Sequence, residues 1–182
     1  MNSKNILKKK DGAAMVLAIC IMSIFMVLCL SLFLSSSMLM KRATALGNRE
    51  QCRVSSVSVS KELEYNLVDG GDGIYKYVTD TIKNNALGYS VGWPYLDENE
   101  YGHRSTEATR EFEMTEPEDF IKNSGEITLK LYWEYSGGRT LNDIILHVDV
   151  TAEKSGEKHM VRSMYKLTAY GDNLSWKLSE RR

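Results

Sequence analysis

The residues best equipped for chemistry are Gly88-Tyr89-Ser90-Val91-Gly92, which spell the G-x-S-x-G of a hydrolase nucleophile elbow, with His147 and His159 downstream in the order a serine triad uses. Such an elbow sets its serine on a sharp turn between a strand and a helix. Here a helical pattern precedes the serine and Trp93-Pro94 follows it, so the match is read as coincidence. His103, His147 and His159 show no metal-ligand spacing, and no CxxC, HExxH, phosphate loop or dinucleotide fingerprint occurs. Asp69-Gly70-Gly71-Asp72-Gly73 has the composition of one calcium-repeat copy, but a single copy reads as a turn. Asn173-Leu174-Ser175 is a lone sequon. No catalytic, cofactor-binding or metal-binding residue is assigned, and the chain is not expected to be an enzyme.

The dominant element is instead Ala13 to Met40, 28 residues without a charged, Asn, Gln, Gly or Pro side chain. A bilayer core is crossed by about 20 apolar residues in a helix, so this stretch is long enough to span it. Lys4, Lys8, Lys9 and Lys10 precede it, and Lys41, Arg42, Arg49 and Arg53 follow. Both flanks are basic, but a short charged N-terminal flank stays inside, which predicts a cytoplasmic N-terminus and an extracytoplasmic C-terminal domain. Ala43-Thr44-Ala45 has the form of a signal-peptide cleavage site; the apolar run is too long for that reading, and Lys41 and Arg42 intervene. The formal net charge of −1 gives no case for nucleic acid. Of the three cysteines only Cys52 lies outside the span, so no internal disulfide staples the domain, and a free thiol is expected.

The chain thus divides into a basic leader, 1–12, a transmembrane helix, 13–40, a helical stalk, 41–68, and an α+β domain, 69–182. Leu46, Glu50, Val54 and Val57 follow helical spacing along the stalk, with Leu63 and Leu67 less regular, while Ser55 to Ser60 alternates like a strand. A second helix is predicted from Gly73 to about Ala86, capped by Asp72, with Ile74, Tyr77, Val78, Thr81 and Ile82 on one face and Gly88 just past its end. Residues 88–125 are weakly patterned, with one short strand near Phe112 and Met114; the acidic stretch 97–119 reads as a solvated face, with an acidic partner-binding edge as the alternative. From about 110 to 182 the period-2 signal is strong. Ile127, Leu129, Leu131, Trp133 and Tyr135 alternate with polar residues, Ile144 to Ala152 alternate again, and two further strands cover Met160–Tyr170 and Leu174–Leu178. His147 falls out of phase with Leu146 and Val148 and is expected to face water. Short turns between strands predict an antiparallel meander, one face covered by the stalk and the second helix.

A short lysine-rich leader ending in Gly12, then a long uncharged helix running into a charged stalk and a C-terminal sheet, resembles a type IV pilin-like or minor pseudopilin-like protein. The resemblance implies a pilin-like fold, cleavage between Gly12 and Ala13 on the cytoplasmic side, and packing of the hydrophobic helix against other pilin-like subunits. Major pilins carry a glutamate at the fifth mature position; Leu17 stands there, as in some tip-type minor subunits, and Ala13 replaces the usual phenylalanine. The function expected is that of a structural subunit of a bacterial surface pilus or secretion apparatus in the cell membrane. The alternative is an unprocessed, single-pass, membrane-anchored extracytoplasmic binding domain.

Overall fold

A computed structural model describes residues 3–70, 73–86, 88, 93–96, 108–115, 117–170 and 173–182, with side chains from Met15 onward. The fold is α+β: a long N-terminal helix, α1 (Ser3–Val68), precedes a five-stranded antiparallel sheet. The chain forms two compact units, Met1–Leu46 and Gly47–Arg182.

In the first unit α1 is apolar all round. Its large side chains from Met15 to Met40 are exposed, so no protein core explains their hydrophobicity. Two of its hydroxyls fold back on the helix: Ser23 donates to the Ile19 carbonyl at 2.8 Å and Ser31 to that of Leu28 at 3.0 Å. Bonding of this kind within the helix is what a hydrocarbon environment demands. Among the described residues, α1 is the helix long and apolar enough to cross a membrane.

In the second unit the sheet holds β1 (Arg110–Glu113), β2 (Glu126–Tyr135), β3 (Ile144–Lys154), β4 (Glu157–Tyr170) and β5 (Asn173–Arg181), in that spatial order. Neighbours in sequence are neighbours in space, as short connections require. Ser155 and Gly156, both left-handed (φ 51° and 85°), make the two-residue turn between β3 and β4, whose twist suits a hairpin. One sheet face carries Ile127, Leu131, Trp133, Leu146, Val148, Val150, Tyr165, Leu167 and Trp176, all buried. The 47–68 part of α1 and α2 (Ile74–Ala86) cover this inner face. Three tryptophans anchor it, and each indole N–H finds a buried acceptor: Trp93 the Ala108 carbonyl, Trp133 the Trp93 carbonyl, and Trp176 the Thr79 hydroxyl.

Several expectations are corrected here. The stalk stripe is not Leu46, Glu50, Val54 and Val57: Leu46 and Val54 are exposed, and Glu50 pairs with Arg53 in solvent. The buried face is Cys52, Ser55, Ser56, Val59, Ser60, Leu63 and Leu67. The serine-valine run is therefore helical, and its small side chains let the helix approach the sheet. Along α2 the expected Ile74, Val78 and Ile82 do face the core, but Thr79 and the half-buried Tyr75 complete the face in place of Tyr77 and Thr81, and Tyr77 is left exposed. A short helix, α3 (Glu118–Ser124), occupies the end of the acidic stretch where none was expected. Strands β4 and β5 begin or end up to three residues beyond their predicted limits. The Asp72 cap, Ser90, His103 and most of 97–107 lie outside the described residues.

Candidate functional site

Two places in the second unit combine polar chemistry with burial. The first is the seam between the stalk and the sheet. A helix can seat closely on a pleated surface only through small side chains, and the stalk offers Cys52, Ser56 and Ser60 at four-residue intervals. Cys52 Sγ reaches the Glu157 carbonyl at 3.4 Å, Ser56 Oγ lies 2.8 Å from His159 Nδ1, and Ser60 Oγ lies 3.1 Å from Ser163 Oγ. The next turn places Glu64 at 2.6 Å from Arg181 on β5, and Arg181 also donates from Nε to Ser163 Oγ. Burial is the largest single influence and works against the charge on Arg181, but Glu64 and Tyr165 together outweigh it and hold the guanidinium above its ordinary value.

Tyr165 lies in the same seam, fully buried, its hydroxyl near Arg181 and Ser163 but without a hydrogen bond of good geometry. Burial pushes its phenol pKa up, against the opposing pull of Arg181. The neutral phenol is thus favoured in the folded state. Its contribution to stability is complete below the unfolded value of about 10 and is lost as pH rises through the higher folded value. The expected result is a melting temperature that falls above pH ~10, with a shallower fall in Tyr165→Phe. Equal alkaline slopes for the two chains would show that Tyr165 is not the group responsible.

The second place is the outer face, away from both helices. Tyr132 and His147 are cross-strand partners and their rings stack, centroids 4.5 Å apart and planes 5° off parallel. His147 Nε2 lies 2.8 Å from Glu134 Oε1. The other ring nitrogen, Nδ1, is buried and has no hydrogen-bond partner among the described residues. On the next rung Arg162 grips Asp149 with two 2.8 Å hydrogen bonds, and this contact raises the guanidinium pKa. Leu96 and Ala108 pack on Tyr132, which explains why an outward-facing rung is dry. His147 is thus out of phase with the core, as expected, but it is only 7 % exposed and does not face water. A cleft of about 230 Å³ opens beside it, lined by Leu96, Tyr132, Glu134, Arg162 and Glu180 among others.

The structure keeps the sequence candidates apart. His147 is on the outer face and His159 on the inner one, so the two cannot serve one site. No cluster of metal-ligating side chains occurs among the described residues. Cys52 is a buried free thiol, and Cys20 and Cys29 are exposed on the apolar helix. Gly12 and Ala13 lie within the helical backbone of α1. The seam and the stacked Tyr132–His147 pair escaped sequence reasoning, although the four-residue spacing of Cys52, Ser56 and Ser60 was there to be read. Compared with known proteins, the chain finds no match among protein-family models, curated proteins or solved structures.

Proposed function

We propose that this chain is a structural, minor pilin-like or pseudopilin-like subunit of a bacterial surface pilus or secretion apparatus. The observation that carries the reading is the dual character of α1. From Met15 to Met40 it exposes apolar side chains on every side, and from Cys52 to Leu67 it buries a small-residue face against an antiparallel sheet. A helix of the first kind gains by leaving water for lipid or for the helices of other subunits, where packing rests on close contact. A helix of the second kind is part of a folded domain. Residues 13–40 would hold the chain in the cell membrane, with the lysine-rich leader cytoplasmic and the sheet domain extracytoplasmic. Leu17, exposed on the helix, offers no carboxylate to a neighbour's N-terminus, which fits a minor subunit and not a major one.

The test is intact mass and N-terminal sequencing of protein recovered from its native membrane. A chain starting at Ala13 is expected, and Gly12→Leu should leave it uncut. A start at Met1 overturns processing and favours the second reading, an unprocessed membrane-anchored binding domain. That reading draws support from the Tyr132–His147 cleft on the outer face. A start just after Ala45 overturns both.

A further inference from the structure

We propose that the sheet continues from one copy of this chain into the next, β5 of one copy pairing in parallel with β1 of a second, so that Lys177 lies beside Glu113 of the second copy. This rests on the subunit reading and names the contact by which the sheet domains would associate. The two edge strands, β1 and β5, have no further strand beside them among the described residues. Uncovered edges are templates for pairing unless blocked. At the start of β5 the Tyr75 hydroxyl already donates to the Leu174 carbonyl at 2.5 Å, so the available edge begins after it.

The two edges differ in charge and are complementary. On the outer face β1 presents the exposed carboxylates of Glu111 and Glu113, while β5 presents Lys177, exposed, with Lys166 of β4 directly beside it. On the inner face β1 presents Phe112, 42 % exposed, continued by Met114, and β5 presents the half-buried Leu178. Pairing β5 with β1 therefore sets base against acid on one face and apolar against apolar on the other.

Direction selects the same pairing. In a five-stranded antiparallel meander β1 and β5 run the same way. Copies placed side by side thus pair these edges in parallel, with all inner faces on one side. The stalk advances along β4 in the same sense, Cys52 at Glu157, Ser56 at His159 and Ser60 at Ser163, so it points the same way in every copy. A twofold pairing of β5 with β5 would reverse one stalk relative to the other, which subunits anchored in one membrane with one orientation do not allow. The head-to-tail contact is heterologous and generates an open series.

The test uses the full chain in its native membrane, with Cys20→Ala and Cys29→Ala removing the exposed thiols and Cys52 left buried. Lys177→Cys combined with Glu113→Cys on one chain should give a ladder of disulfide-linked oligomers on mild oxidation. Mixing the two single variants should give a dimer and nothing larger. Lys177→Glu should weaken association, and adding Glu111→Lys and Glu113→Lys should restore it. No ladder, or dimers from Lys177→Cys alone in equal amount, overturns the proposal. A mature start at Ala13 without a ladder would sink the edge contact while leaving the subunit reading standing.

Discussion

A chain carrying Trp133→Ala is expected to lose about 3–5 kcal/mol of stability, the usual cost of truncating a buried tryptophan. Trp133 is fully buried at the centre of the inner face. Its ring meets Tyr135 at 5.3 Å and Tyr95 at 5.8 Å, both tilted or edge-on, the geometry aromatic pairs prefer. Its indole N–H donates to the Trp93 carbonyl at 2.9 Å, which would be left buried and unpaired. The segment carrying Trp93 also lies along the edge of β2, where Leu96 N–H donates to the Trp133 carbonyl at 2.7 Å. Against a total stability of roughly 5–15 kcal/mol, the loss is large enough to unfold a marginal domain. Denaturant midpoints would measure it. Trp133→Phe should keep most of the packing and lose the hydrogen bond alone; a Phe variant as unstable as the Ala variant would contradict this division.

Gly125→Val should be comparably severe, for a backbone reason. Gly125 closes α3 with φ 86° and ψ −173°, a region of conformational space essentially reserved for glycine. A Cβ placed there would fall on the Glu153 carbonyl of β3, which is held by its pairing with Glu126 of β2. Strain of about 1–3 kcal/mol and overpacking of about 1–3 kcal/mol together give roughly 2–6 kcal/mol. Thermal melts of the full chain would read this as a fall of about 4–24 °C. The control is Gly156→Asn, also left-handed at φ 85° but with open space around it and in a turn that asparagine tolerates. Little change there, beside a collapse at Gly125, separates steric contact from positive φ. Equal losses at both would put the whole cost in φ.

The sheet was legible in the sequence because each long strand alternates over eight residues or more and is bounded by turn residues, a signal that tertiary contacts only reinforce. The apolar helix was legible from composition alone. The stalk's buried face was not, because serine is scored as polar by any pattern. Ser55, Ser56 and Ser60 are buried for their size, a property of the fit between two elements and not of either one. His147 was misjudged for a related reason. Alternation gives the face correctly, but the burial of that face depends on Leu96 and Ala108, which arrive from another part of the chain. The short helix α3 hid in an acid-rich run, although Pro117 followed by Glu118 and Asp119 is a recognisable helix start. No pattern of residue types singled out the cleft beside His147, since Tyr132, Glu134, Asp149 and Arg162 are ordinary outward residues until register brings them together.

The seam also sets an order of events during synthesis. The stalk is made first, yet Ser60 waits 103 residues for Ser163, and Glu64 waits 117 residues for Arg181. At roughly 5–20 residues per second, Glu64 stays without its partner for about 6–23 s. The seam therefore gains its partners in two stages: Cys52, Ser56 and Ser60 meet theirs once β4 is made, and Glu64 meets Arg181 only when β5 follows.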